Sequence, residues 1–257
     1  LTPIRYLLTT NKMICSTPAF VLKSFDFRET SKIATFFSRD FGKVKGILKG
    51  IRKDPKKFGS LLSPLSLNHI VFYRSRNTEI YLVGQCDCLD DFGLTRPDLK
   101  SFGYASYMSE LVDALMPLED PHKNAFSLMF NFLNTIKEGG PDTRLIFQIK
   151  ILAFSGFKPH FDSCINCSSK IAGEAYFSRS RGGLLCPKCV RSDASADHVL
   201  KGTIATILYI ERSQWAQALR LNMQPQVRKQ LELILRSFIH FHIGRALKTD
   251  RSTEGLV

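Results

Sequence analysis

The sequence lacks the patterns that would place it in a membrane or assign it a familiar enzymatic chemistry. No apolar run approaches the roughly 20 residues that a helix needs to cross a bilayer. It contains no Gly-rich loop ending in Gly-Lys-Ser/Thr, no His-Glu-x-x-His and no Gly-x-Ser-x-Gly. P-loop nucleotide hydrolysis, zinc-protease chemistry and a nucleophile elbow are therefore not indicated. These absences favour a binding protein that is not an enzyme, although a nuclease with scattered acidic residues stays open.

Acidic residues are scarce relative to basic ones. The chain has 36 Lys and Arg against 23 Asp and Glu, a formal net charge of +13 and a pI of about 9.5. Such an excess favours polyanionic partners, with nucleic acid first and an anionic membrane surface second. The first sixteen residues carry no secretory signal, and the seven cysteines are an odd number with four clustered. Both features lead us to expect a cytoplasmic protein in a reducing compartment.

The amino-terminal third has the pattern of a small β-domain. Residues 18–88 contain five runs rich in β-forming residues, bounded by turn residues, over about 70 positions. A five-stranded barrel of the oligonucleotide-binding (OB) type fits this count and length. The pattern alone does not separate it from an SH3-like barrel. We expect residues 1–17 to form an N-terminal extension without a role in the fold.

After residue 87 the apolar spacing becomes helical. Helices are predicted at 98–116, 122–137, 142–156, 198–211 and 224–249. The predicted fold is therefore α+β: an OB barrel at 18–88, then a helical domain at 89–257 that contains a cysteine-rich insertion at 160–195.

The charge is unevenly distributed along the chain. The net charge is +7 over residues 18–88, −3 over 89–155, +3 over 156–195 and +5 over 220–251. The predicted barrel and the last helix are thus basic, whereas the middle helices are not.

Four cysteines form two C-x2-C pairs separated by eighteen residues: Cys164, Cys167, Cys186 and Cys189. This spacing is typical of a zinc ribbon, in which four thiolates surround one tetrahedral Zn²⁺. Four protein ligands leave no open position, so we expect a structural zinc. The alternatives are a redox pair, paired disulfides or unligated thiols; a thioredoxin-like motif would need a βαβ frame. Cys86 and Cys88 are predicted to share a buried strand face.

A basic loop lies in the predicted barrel. Residues 42–60 hold seven cations against a single acid, Asp54. Such a cluster would bind a phosphate backbone, although most charge runs are simply solvated. The predicted DNA-binding residues are Lys43, Lys45, Lys49, Arg52, Lys53, Lys56 and Lys57.

Four stretches of the chain together carry a family likeness. They are AFVLKSFDFRETSKIATFFSRDFGKVKGILKGIRK, FGSLLSPLSLNHIVFYR, SFGYASYMSELVDALMP, and FSGFKPHFDSCINC with GGLLCPKC. In these stretches the chain resembles the bacterial RecO family of recombination mediators and DNA repair proteins. Members of that family are similar in having an OB barrel, a helical part and, in many cases, a zinc-binding cysteine cluster.

The resemblance implies a non-enzymatic protein that binds single- and double-stranded DNA and anneals complementary strands. It also implies action with RecR, and in some lineages RecF, to help RecA replace single-strand-binding protein. The implied location is the bacterial cytoplasm, at the nucleoid. The family recognises the acidic, Phe-ending tail of single-strand-binding protein in its helical part. A groove with a cationic rim that includes Arg144 or Lys150 would suit such a tail.

Two other functions compete with this one. The zinc ribbon and the pI also permit an RNA- or ribosome-associated factor, which comparison of affinities for single-stranded DNA, duplex DNA and structured RNA would separate. The second competing function is an interaction scaffold that binds a peptide in its helical part and DNA only incidentally. This hypothesis is compatible with the resemblance to RecO.

Overall fold

The computed structural model describes residues 6–7, 12–54, 58, 62–76, 78–93, 99–137 and 142–249. The chain forms two compact units that divide between Ser127 and Leu128. The predicted boundary at 88/89 lies earlier, because the first helix packs on the barrel and belongs to the first unit. The elements of that unit are β1 (Tyr6–Leu7), β2 (Lys12–Phe27), β3 (Ser31–Ser38), β4 (Gly42–Leu48), β5 (Leu67–Ser75), β6 (Ile80–Asp90) and α1 (Leu99–Leu115).

Strands β2–β6 close into a five-stranded barrel. β2 pairs with β3, β3 with β4, β5 with β6 and β2 with β5, all antiparallel, while β4 and β6 pair in parallel. The strand order β2-β3-β4-β6-β5, closed by the β2–β5 pairing, is that of an OB fold. The predicted fold class is therefore confirmed.

The interior of the barrel is filled by side chains that alternate along each strand. Phe36, Val44, Phe72 and Val83 are at most 3% exposed and belong to one apolar cluster. Gly46 also faces this cluster, because a Cβ placed there would lie 2.4 Å from Val83 Cγ2. Residues of the opposite parity face outward.

The amino-terminal boundary of the barrel is earlier than predicted. Strand β2 begins at Lys12, and its residues 12–17 pair with β5 from Ser75 to Ile70. The two-residue strand β1 pairs with β2 at Ile14 and Met13. The prediction of an extension at 1–17 is thus wrong for Lys12–Thr17, and burial alternates from Ile14 through Pro18 to Ala19.

Part of the outer surface of the barrel is covered by helices. Ser109 of α1 donates a hydrogen bond to the carbonyl of Leu22. Helix α2 (Lys123–Thr135) places Phe126 against Phe20, with 4.8 Å between ring centroids. These helices therefore cover β2 near Phe20 and Leu22.

The second unit contains α3 (Asp142–Phe154), α4 (Lys201–Arg212), α5 (Trp215–Ala218) and α6 (Pro225–Ile243). Buried side chains such as Leu152, Ile207 and Leu231 fill its core. Helix α6 begins with a proline, whose fixed φ suits a first turn, and ends at Gly244, which has φ 71°. It is therefore shorter than the predicted 224–249.

A three-stranded sheet is inserted between α3 and α4. Strand β7 (Ala175–Ser178) pairs antiparallel with β8 (Gly183–Leu185) and with β9 (Asp197–Val199). The β7–β8 hairpin places Cys186 directly after its second strand.

Candidate nucleic-acid interface and metal centre

An apolar row crosses the outer face of the barrel. Phe25 of β2 is opposite Ile33 of β3, which is opposite Ile47 of β4, which is opposite Leu82 of β6. Phe25 is 52% exposed and Leu82 38%. The two ends of the row, Phe25 and Leu82, therefore present apolar side chains to solvent, whereas Ile33 between them is buried.

Cations border this row. Lys45 and Ile47 point outward from β4. Val44 directly before Lys45 and Leu48 directly after Ile47 belong to the barrel interior, and successive residues of a strand face opposite sides. Lys49 follows the strand directly and is exposed, as are Arg52 and Lys53 in the next turn. Among the ion pairs found in the described part of the chain, none involves Lys45, Lys49 or Lys53.

The β2–β3 turn adds one further cation, Arg28, beside these residues. The guanidinium carbon of Arg28 lies 5.2 Å from the ring centroid of Phe27. Arg52 donates to the carbonyl of Arg28, and its Nε lies 3.4 Å from a carboxylate oxygen of Asp26. The turn after β4 is thereby held beside the β2–β3 turn, one of the two loops that flank the ligand face of OB barrels.

Lys43 does not join this face. Its Nζ lies 3.4 Å from a carboxylate oxygen of Asp113 in α1 and also donates to the Asp113 backbone carbonyl; its side chain is only 11% exposed. Burial lowers the pKa of Lys43, and the Asp113 charge opposes that effect. The structure therefore corrects the prediction for Lys43, which attaches α1 to the barrel. Lys56 and Lys57 lie outside the described residues.

Phe25 and Leu82 were not predicted as functional residues. A register shift between Val21 and Lys23 changes which β2 residues face outward. Alternation counted straight from Phe20 therefore assigns Phe25 to the wrong face. The only sequence signal was the aromatic pair Phe25 and Phe27 beside Arg28, which is a typical pattern of single-strand binding.

The four predicted metal ligands lie together in the second unit. The sulfur atoms of Cys164, Cys167, Cys186 and Cys189 are all within 4.8 Å of one another, and those of Cys167 and Cys186 are 3.8 Å apart. Thiolates around a tetrahedral ion at about 2.3 Å would be about 3.8 Å apart. The donor set thus fits one metal ion and a zinc ribbon. The nearby His160 is not part of this set, and its Nε2 lies 2.8 Å from the Ser163 hydroxyl oxygen.

Backbone amides favour the ionised form of the Cys164 thiol, whereas at Cys189 the hydrogen bond from Asn166 is outweighed by the neighbouring cysteines, which raise the pKa of that thiol. Burial alone would raise the pKa of Cys164, but N–H groups of Cys186, Cys167 and Asn166 lower it to about 6. The Cys186 N–H lies 3.4 Å from the Cys164 sulfur, and the Asn166 amide donates to the Cys189 sulfur at 3.4 Å. A thiolate that accepts such bonds is preorganised as a metal ligand.

The two residues predicted to bind an acidic peptide have internal partners. Arg144 lies 3.1 Å from a carboxylate oxygen of Glu232, which joins α3 to α6. Lys150 is 8% exposed and donates to the carbonyls of Ile210 at 2.8 Å and Ser213 at 2.5 Å, which satisfies the carboxyl end of α4. Both side chains therefore join helices of the second unit to one another.

The whole of the described architecture matches one family. The N-terminal model of recombination protein O matches residues 13–92, and the C-terminal model matches residues 96–251. The chain belongs to the RecO family. Among curated RecO proteins, DNA repair protein RecO of Pelotomaculum thermopropionicum is 32% identical over 90% of each chain. The Syntrophus aciditrophicus protein is 30% identical over 91% of this chain and 92% of its own, and the Myxococcus xanthus protein is 29% identical over 90% and 93%.

RecO membership makes this chain a relative of proteins named for DNA repair, and none of those names describes an enzyme. Among the residues that the structure describes, no helix has the length and apolarity needed to cross a membrane. The RNA- or ribosome-associated alternative is not favoured, because both RecO models together span the barrel, the helices and the cysteine cluster.

Proposed function

We propose that this RecO-family chain is a recombination mediator that binds single- and double-stranded DNA on the open face of its barrel. The observation that carries the proposal is the apolar row from Phe25 to Leu82 bordered by Lys45 and Lys49. Cations neutralise phosphates and release counterions, and aromatic faces stack on unpaired bases. OB barrels bind oligonucleotides on the corresponding strands and loops.

Annealing follows from the same electrostatics. Two DNA strands repel each other through their phosphates, and this repulsion slows the encounter of complementary bases. Lysines that neutralise one backbone lower the repulsion felt by the second strand. The proposed role therefore needs no covalent step, which agrees with a protein that is not an enzyme.

The metal is proposed to be a single structural Zn²⁺. Four thiolates suit zinc better than the oxygen-seeking Mg²⁺ or Ca²⁺, and they leave no coordination position for a substrate. Bound by these cysteines, the ion would hold the two C-x2-C segments together in a part of the chain with a small core.

The proposal includes partners known for the family. They are RecR, the acidic tail of single-strand-binding protein and, in some lineages, RecF. With these partners the protein would help to load RecA on DNA that is coated by single-strand-binding protein. The proposed location is the cytoplasm, at the nucleoid. The internal contacts of Arg144 and Lys150 argue that the acidic tail binds elsewhere in the helical part.

Charge reversal on the open face tests the proposal. The variant K45E/K49E/K53E should bind single-stranded DNA more weakly, because three phosphate contacts are lost. The slope of log affinity against log salt should fall by about 2, at about 0.7 per contact on a single strand. Fluorescence anisotropy with a labelled oligonucleotide at several salt concentrations measures both quantities.

The matched control is K201E/R220E/K229E, which changes the net charge equally in the second unit. These three side chains are exposed. Equal salt slopes for the barrel variant and wild type would place DNA elsewhere on the protein.

A further inference from the structure

The hairpin turn of the ribbon carries an arginine cluster, defined here as Arg179, Arg181 and Arg191. Arg179 and Arg181 lie in the β7–β8 turn, and Arg191 lies in the short helical turn Val190–Ser192 that follows Cys189. The Arg181 guanidinium donates to the carbonyl of Ser192 at 3.0 Å. This contact holds the two turns side by side, and all three arginines are exposed.

The carboxylate of Asp193, two residues after Arg191, keeps its negative charge but is hydrogen-bonded to serines and not to a guanidinium. Asp193 accepts from the Ser178 and Ser180 hydroxyls through one oxygen, and from the Ser195 hydroxyl and N–H through the other. The described ion pairs include none of the three arginines. Three exposed arginines are thus grouped on two adjoining turns, where a bound polyanion would offset their mutual repulsion.

Exposed aromatic rings lie next to the same turn. A Cβ on Gly182 would be 3.8 Å from His242 Nε2, so the α6 histidine lies against the turn backbone. The His242 ring is 5.9 Å from that of Phe157 and 5.4 Å from that of Phe241, centroid to centroid. Phe157 is 38% and Phe241 53% exposed. Planar apolar faces are therefore available beside the cations.

We propose that the arginine cluster and the rings of Phe157, His242 and Phe241 form a second binding surface for single-stranded nucleic acid. The inference rests on the proposed DNA-binding function and adds a site in the second unit. Guanidinium forks bind phosphate oxygens in a bidentate manner, and the rings offer stacking faces to unpaired bases. A chain with two such surfaces can hold two strands at once, which is what annealing requires.

The observations favour nucleic acid over an acidic peptide. An acidic peptide anchored by an apolar residue needs a pocket that removes that residue from water. Here Phe157 and Phe241 stand on the surface with much of each ring exposed. Stacking on open ring faces suits a base, and successive phosphates suit several arginines in a row.

Counting bound strands tests the inference. Native mass spectrometry of the metal-loaded chain with the eight-nucleotide probe dT8 should find two strands per chain for wild type. R179E/R191E should bind one strand, because two phosphate contacts of the ribbon surface are lost. Arg181 is left in place because its hydrogen bond to Ser192 is structural. Unchanged metal content and melting temperature will confirm that the variant is folded.

Two further variants separate this inference from the barrel proposal. The control K201E/R220E should still bind two strands, whereas K45E/K49E/K53E should bind one, at the ribbon. Two strands on R179E/R191E would overturn the inference and leave the barrel proposal intact. If R179E/R191E lost affinity only for an eight-residue polyglutamate probe, that result would also overturn the inference, in favour of a peptide site.

Discussion

At the residue scale, Lys43 and Lys45 illustrate how neighbours of the same type acquire different roles. They lie two apart on β4 and point to the same side of the strand. Lys43 is covered by α1 and paired with Asp113, whereas Lys45 lies beyond the helix, opposite Ile80 of β6. The alternation of β4 predicted their common face correctly. It could not predict that α1 covers Lys43, because the contact residue Asp113 lies 70 positions later in the chain.

The cysteines show the same contrast between what a local pattern predicts and what it does not. The C-x2-C spacing predicted which four sulfurs lie together, because that information is local to two turns. Cys86 is buried as predicted, but Cys88 is exposed, so the prediction of a shared buried face is wrong for Cys88. The β5–β6 pairing shifts register near this end of the strand, at Leu67 and Asn68, where the alternation of the barrel interior is interrupted.

Substitution of Phe25 tests the stacking role of a single residue. F25A should weaken single-stranded DNA binding by about 1–3 kcal/mol, the usual contribution of one aromatic–base stack. Duplex binding should change much less, because paired bases are already stacked on one another. The salt slope should stay the same, because no charge is removed.

The control for this variant is F102A, which removes a ring that is 43% exposed on α1. Fluorescence anisotropy with matched single-stranded and duplex probes gives the comparison. Equal losses for both probes in F25A would argue that the side chain supports the fold and does not stack on a base.

At the element scale, strand number and helix positions could be predicted because their signals are local. Apolar alternation, turn residues and the glycine and proline at helix ends set these boundaries. The bulge in β2, the short helix α5 and the strand β1 have no comparable signal. The need for glycine at position 46 has no local signal either. Only the packed barrel shows that Val83 and Phe36 occupy the space that a side chain at Gly46 would need.

The ribbon is the element that we expect to depend most on its metal. Its local apolar cluster contains few buried residues, namely Cys164, Leu185 and Cys186. C164S/C167S should lower the zinc content from about one ion per chain to none, since two of four thiolates are lost. The melting temperature of the second unit should fall, because metal binding and folding are coupled in such segments.

Elemental analysis and calorimetry of the same sample measure both effects. C88S, which removes an exposed thiol outside the cluster, serves as the control. Wild-type melting without metal in C164S/C167S would remove the structural role assigned to the ion.

At the scale of the whole molecule, the net charge of +13 is concentrated in particular regions. The open barrel face carries exposed lysines next to an apolar row, and the ribbon carries three exposed arginines beside aromatic rings. The charge distribution along the sequence predicted that the barrel segment is basic. The grouping of cations with exposed rings could not be predicted, because it combines residues from several strands or from a hairpin and a distant helix.

The most direct test of the central claim is the annealing of complementary oligonucleotides that have been coated with single-strand-binding protein. The account predicts that wild type accelerates annealing and that K45E/K49E/K53E slows it about tenfold or more, through lost phosphate contacts. K201E/R220E/K229E should anneal at the wild-type rate. Wild-type annealing by the barrel variant, with both variants folded and metal-loaded, would contradict the account.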